Sequence, residues 1–263
     1  MSTGADEVLL DVDGPVARIT MSRPEVMNAM RTDAWAEMAD MLRDIEHDPD
    51  IRCVVLTGAG EHFCSGGDVD EFATTTDLDP RARGRLWSAV ADRSNQLLHV
   101  LERMPQPVVA RVRGMAAGGG LALVAQADIA IASESSRFLA AQIKVGAVPD
   151  AGLGYNLVRA AGIKRAKEIA LLGEVLDAHA ALDAGLVTRV VPDAELDART
   201  DEVVARLVSM PRTALELTKR AMNAAGSISL ADHLGQESLD IAACVEDPEY
   251  VARVTAFLQR ARR

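Results

Sequence analysis

The sequence predicts an α/β fold, with a core of strands and helices over residues 1–192 and a helical region over 193–263. Three observations predict it. Cys53–Thr57, Val108–Val112 and Asp128–Ala132 are short, apolar runs of the kind that form strands covered on both faces. Stretches of helical period separate them, notably 33–46 and 80–103. From Asp193 onward every periodic stretch is helical, at about 193–208, 213–224, 229–245 and 247–262, with Pro211, Gly226 and Pro248 between them.

Each element has a local reason. Val8–Asp11 and Val16–Met21 alternate around Asp13-Gly14-Pro15, which predicts a hairpin. Residues 22–30 show little periodicity and form a loop. Thr32 is placed to cap a helix over 33–46, whose Trp35, Met38, Met41, Leu42 and Ile45 recur on one face. Asp48-Pro49-Asp50 ends it. Thr74–Asp79 is polar, and Pro80 then opens a long helix to about Arg103, stopped by Met104-Pro105-Gln106-Pro107. Phe138 begins a short strand. Helices follow at Leu153–Ala160 and Ile163–Leu171, divided by Gly162. Asp177 caps a helix that ends at Gly185, and Leu186–Val191 reads as a strand.

Composition narrows the function. The chain has 263 residues, 49% hydrophobic, which is ample for a core, and only 3% aromatic. Its net charge of −11 argues against general nucleic-acid binding, although a local basic patch remains compatible with it. Cys53, Cys64 and Cys244 are odd in number and lack metal-type spacing, as expected of reduced thiols in a cytoplasmic protein. His47, His99, His179 and His233 show no ligand spacing, and no metal site is expected. The first seven residues, M-S-T-G-A-D-E, lack the basic and apolar regions of a signal sequence. The most apolar window, 115–132, is broken by glycines, Gln126 and Asp128, so no membrane span is expected.

Two glycine-rich loops follow predicted strands. Gly118-Gly119-Gly120 lies between Val108–Val112 and the apolar run Leu121–Ala125. A helix opening there leaves its first N–H groups without partners, with a dipole that favours negative charge in front of them. That suits an oxyanion or a phosphate; a tight turn packing a small-residue helix on the sheet would use the same glycines. The other loop, Gly58–Phe72, matches two glycines of G-x-G-x-x-G but has Phe63 at the third position, which argues against a dinucleotide site. Gly66-Gly67 is the better backbone donor. Convergence of Gly67 and Gly119 on one carbonyl oxygen would make an oxyanion hole.

Several stretches together resemble the crotonase, or enoyl-CoA hydratase/isomerase, superfamily. They are F-C-S-G-G-D at 63–68, A-A-G-G-G-L-A-L at 116–123, K-V-G-A-V-P-D-A-G at 144–152, R-P-E-V-M-N-A-M at 23–30 and L-L-G-E-V-L-D-A-H-A-A-L-D-A-G-L-V at 171–187. The resemblance spans roughly residues 8–260. It implies a spiral of ββα units, a C-terminal helical region that assembles trimers or hexamers, and an acyl-CoA thioester substrate with no cofactor beyond the CoA moiety. It implies that the Gly67 and Gly119 N–H groups hold the thioester oxygen. It also implies CoA contacts at Ala29, Ser65, Gly67, Asp68, Val69, Asp70 and Gly119. Each preorganised donor is worth roughly 3 kcal/mol where enolate charge develops.

The side chains depart from the hydratase pattern. The two glutamate positions of the hydratases fall on Ala122 and Gln142, neither of which is a general base near neutral pH. Both are expected to line the substrate pocket; Gln142 either orients a water or substrate group or is a satisfied polar loop residue. Asp150 is the acid that remains, and it resembles in position the catalytic aspartate of family members that isomerise. It serves either as a proton shuttle or as the N-cap of the helix after it. The expected chemistry is double-bond or ring isomerisation, with hydration by a non-standard base or silent acyl-CoA binding as alternatives. Ser65 lies in C-S-G-G and not G-x-S-x-G, so a nucleophile elbow is not expected. Asp68 and Asp70 suit capping or turns, His62 a surface loop, and Arg111 and Arg113 strand-end charges. Lys219 and Arg220 are candidates for CoA phosphates.

Overall fold

The computed structural model describes residues 7–261, so the stretch 1–6 read above for a signal sequence lies outside the described residues. Six strands form the main sheet in the order β1 (Val8–Asp13), β2 (Val16–Met21), β3 (Cys53–Gly58), β4 (Val108–Val112), β6 (Ile129–Ser133) and β9 (Arg189–Val191). The β1–β2 hairpin is antiparallel and turns at Gly14, whose φ is +54°. Every later pairing in this sheet is parallel, with Val54 opposite Val108 and Thr57 opposite Arg111. A second sheet joins β5 (Met115–Ala117), β7 (Arg137–Leu139) and β8 (Leu176–Asp177).

The apolar strands are covered on both faces, as their continuous runs require. Val54 and Leu56 face one core with Met38 and Leu42 of α1 (Thr32–Glu46) and Leu97 and Leu101 of α3 (Pro80–Arg103). Cys53 and Val55 point the other way, into a second cluster with Val109, Ile131 and Leu196, Val203 and Val204 of α7 (Leu196–Val208). The helix α7 therefore packs on the sheet, although it follows the expected division at residue 192. Arg111 anchors it further by reaching Asp197 and Thr57 Oγ1. Beyond it come α8 (Arg212–Ala224), α9 (Leu230–Glu246) and α10 (Pro248–Ala261). The α9 and α10 helices leave large apolar side chains in solvent, including Ile241 and Phe257, the latter 71% exposed.

Two local expectations need correction. Thr32 does not cap α1: it is the first helical residue, and its N–H donates to the Glu71 carboxylate at 2.9 Å, a partner 39 residues away. The last strand pairs only from Arg189, because Leu186 and Val187 are spent on the core beforehand. Other expectations hold. Asp177 caps α6 (Ala178–Asp183) through Ala180 N–H, and α5 (Leu153–Leu172) is broken at Gly162, with φ +71° and ψ 159°.

The loop 22–31 is stitched to the Gly58–Glu71 segment. Arg23 Nη1 meets Asp68 Oδ2 at 2.5 Å and also donates to the Ala29 carbonyl. Asp68 Oδ1 caps α2 (Val69–Ala73) by accepting from Asp70 and Glu71 N–H. Burial alone would raise the Asp68 carboxyl. The Arg23 hydrogen bond, the two backbone donors and the Arg23 charge outweigh it and hold the group below its ordinary 3.8. A depressed folded-state value contributes stability that is present above pH 3.8 and lost as pH falls through the folded value. Asp68→Asn, which takes the nearest ion partner from a mostly buried guanidinium and leaves it Glu7 at 3.6 Å, should cost roughly 1–3 kcal/mol at neutral pH. Thermal melts at stepped pH should show the gap between wild type and variant closing below pH 3.8.

Candidate active site

The β3 and β4 strands are parallel neighbours, so the loops leaving their C-terminal ends open onto one edge of the sheet. These loops run side by side. The Ala117 N–H donates to the Cys64 carbonyl at 2.9 Å, and the Cys64 N–H donates to Met115 at 3.0 Å. The contact is backbone against backbone. A Cβ on Gly120 would overlap the Cys64 carbonyl, and one on Gly66 would lie 2.9 Å from Ala117 O and 3.2 Å from Gly119 N. Gly66 also has φ +102°, a left-handed value that glycine takes without strain.

The two N–H groups expected to act remain available. Gly67 forms a parallel bridge with Met30, but that bridge uses the Gly66 carbonyl and the Asp68 N–H on either side of it. The Gly67 N–H therefore points away from Met30. Gly119 opens α4 (Gly119–Gln126), where the first-turn N–H groups have no helical acceptor. Among the described residues, no protein group accepts either N–H, and both glycines are half-buried. Aromatic rings back both positions. A Cβ on Gly67 would come 2.5 Å from the Phe72 ring, and one on Gly119 would come 2.6 Å from Trp35. Phe72 in turn meets Trp87 edge-on, with ring centroids 4.8 Å apart. Neither Phe72 nor Trp35 was singled out for the site from the sequence, where they read as ordinary apolar positions.

The residues expected at CoA cluster beside Gly67. Ser65 ties the first glycine loop to the 22–31 loop, donating its N–H to Met27 O at 2.9 Å and its hydroxyl to Val26 O at 3.2 Å. Ala29 is buried and Asp68 is held by Arg23, while Val69 and Asp70 are open to solvent. Sequence reasoning missed Asn28. It is buried with φ +57°, and its amide donates to Ala59 O at 2.9 Å and His62 O at 2.6 Å, while its Oδ1 accepts from Arg23 N–H. Asparagine tolerates the left-handed region better than most residues, and that is the signal that could have found it.

Asp150 does not cap α5. The cap position is Gly152, with φ +69°, and no side chain caps the helix. Asp150 Oδ1 instead accepts a hydrogen bond from Gln142 Nε2 at 3.0 Å. The chain reaches this arrangement through Ala151 at φ +47°, a left-handed value costly for a residue with a Cβ. Gln142 lies on the 3-10 turn Ala141–Val145, which starts beside the second loop: Ala141 Cβ is 3.9 Å from where Gly118 would carry one, and Gly118 N–H donates to Leu139 O at 2.9 Å. Asp150 is exposed, Gln142 is buried, and Ala122 is fully buried in the first turns of α4.

Other candidates are committed elsewhere. His62 Nδ1 accepts from Met115 N–H at 3.2 Å. Lys219 is not free for a phosphate: it pairs with Asp128 at 2.9 Å and donates to Gln106 O, and Arg220 pairs with Asp240. Burial pushes the Cys64 thiol up to about 12, so it is no thiolate nucleophile at neutral pH. Its sulfur accepts from Gly66 N–H at 3.3 Å and shapes the turn.

Comparison with known proteins gives the family. The family model described as "Enoyl-CoA hydratase/isomerase" matches residues 11–260. The chain is 35% identical over 254 residues to 1,2-epoxyphenylacetyl-CoA isomerase of Escherichia coli K12, covering 96% of this chain and 95% of the relative. It is 32% identical over 256 residues to short-chain-enoyl-CoA hydratase of Clostridium acetobutylicum, covering 97% and 95%. The crystal structure of an enoyl-CoA hydratase from Mycobacterium smegmatis superposes with a TM-score of 0.89 at 30% identity, covering 97% of this chain and 96% of that one. With its paired glycine loops and this full-length match, the chain belongs to the enoyl-CoA hydratase/isomerase family.

Proposed function

We propose that this protein isomerises an acyl-CoA thioester, with Asp150 as the single proton shuttle. The carrying observation is that the hydratase glutamate positions are a fully buried alanine, Ala122, and a glutamine, Gln142, whose amide is turned onto an exposed aspartate. For a 3-enoyl thioester the steps balance as follows. Asp150 Oδ2 takes a proton from the carbon next to the thioester carbonyl. The C–H electron pair moves into the carbonyl, giving a dienolate whose oxygen accepts from Gly67 and Gly119 N–H. The proton returns to the far end of the former double bond, giving the conjugated thioester with no change in mass and no cofactor beyond CoA. The same donors suit a ring isomerisation. Transition-state charge lies on the oxygen, so these N–H groups act on the step that makes the enolate.

The isomerase named among the relatives supports this reading, and the hydratase among them keeps hydration as the outcome to test against. The exposed apolar faces of α9 and α10 suit contact with further copies of the chain, as trimers or hexamers. Sedimentation should give a mass of three or six chains.

The functional reading is tested by offering 3-enoyl-, 2-enoyl- and epoxyphenylacetyl-CoA to wild type and Asp150→Asn. A product of unchanged mass, lost in the variant by at least about 10²-fold, is the expected result. A product heavier by one water, made equally well by the variant, would overturn it. Gly119→Ala keeps the N–H but forces a Cβ onto Trp35. Its kcat should fall about 10²-fold, the scale of a lost oxyanion donor, while CoA affinity holds.

A further inference from the structure

We infer that Gln142 is a positioning residue for Asp150: it fixes one carboxylate oxygen and leaves the other as the proton-accepting atom. The inference rests on the proton-shuttle reading of Asp150. Gln142 is 8% exposed, and its Nε2 donates to Asp150 Oδ1 at 3.0 Å. Its other amide atom, Oε1, is buried and has no hydrogen-bond partner among the described residues. A buried amide normally satisfies both ends, and leaving one unmet is costly. A residue kept only to fill space would do so more stably as leucine or methionine. The unmet acceptor is the cost of placing a donor at Asp150.

The backbone is bent to the same end. The Gln142 carbonyl accepts from Ala147 N–H at 2.9 Å, and the Asp150 carbonyl accepts from Leu153 N–H at 2.9 Å. These bonds brace both ends of the loop between the two side chains. The strained turn at Ala151, φ +47°, follows directly. Strain of this kind persists only where the surroundings over-determine it, and it clusters at working sites.

A carboxylate held at one oxygen has one rotamer and one free lone-pair set. Asp150 is exposed, so without Gln142 its side chain would sample several rotamers in water. The amide can also serve the protonated state. Once Oδ2 carries the proton, Oδ1 is the carbonyl oxygen of the acid and still accepts from Nε2, while the O–H on Oδ2 is left to return its proton. Gln142 thus matches both protonation states without itself exchanging a proton.

The test is a double-mutant cycle with the substrate that wild type converts. Gln142→Met should lower kcat about tenfold to hundredfold with KM within about twofold, the scale of a lost hydrogen bond to a charged group. Gln142→Leu, also without the donor and with no group that exchanges protons, should show the same loss and guards against misfolding of the first variant. The combination Asp150→Asn/Gln142→Met should be no slower than Asp150→Asn alone, because a residue acting through Asp150 has nothing left to position. Multiplicative losses, or an unchanged kcat in Gln142→Leu, would overturn the inference. The contact is also readable without turnover. The Gln142 side-chain amide resonances, assigned by their loss in Gln142→Met, should move in Asp150→Asn; if they stay, the pair does not exist. A wild type inactive on every thioester would count against the functional reading and leave this second measurement to decide the contact.

Discussion

The structure depends on a contact between two stretches of bare backbone. The turn at Gly66-Gly67 and the helix start at Gly118–Gly120 lie so close that a single Cβ at Gly120 would strike the Cys64 carbonyl. This closeness brings two unpaired N–H groups to the same edge of the sheet. It also explains why the loops are glycine-rich without any nucleotide: the glycines make room for each other. The remaining architecture holds this contact still. The β3 and β4 strands deliver the loops in parallel, Asn28 and Ser65 tie the first loop to residues 23–30, and Phe72 and Trp35 fill the space behind the donors.

The acidic side chains divide by what they touch. Asp68 is held by Arg23 and caps α2, and Asp128 is paired with Lys219 and accepts from Val108 N–H. Asp68 is buried and the Asp128 side chain is 23% exposed, and both work as joints between segments. Asp150 differs: it is exposed, its carboxylate's one partner among the described residues is an uncharged amide, and it lies on a strained turn beside the second glycine loop. In a chain of net charge −11, the number of carboxylates says nothing about catalysis, and their partners say a great deal.

Much of this was legible in the sequence because the relevant signals are local. Continuous apolar runs marked β3, β4 and β6, a helical period marked α1 and α3, and Gly162 marked the break in α5. What escaped depends on distant parts of the chain. Thr32 looked like a cap because the acceptor that serves its N–H, Glu71, lies 39 residues away. Capping stayed open as the alternative role for Asp150 because nothing in A-G at 151–152 announces that the alanine turns left-handed. Lys219 looked available for a phosphate because its partner, Asp128, comes from the middle of the sequence. The apolar stripe of α7 reads the same whether it covers the sheet or another helix, so its place on the sheet had to be seen.

On the proposed reading, the Gly67 and Gly119 N–H groups would serve any CoA thioester enolate, and the side chains around them select the reaction. The most direct measurement is a crystal structure with a non-reactive acyl-CoA analogue bound. The account predicts a thioester oxygen about 3 Å from both Gly67 N and Gly119 N, with the reacting carbon facing Asp150 Oδ2. A thioester oxygen bound by neither glycine, or an acyl group running away from Asp150, would contradict it.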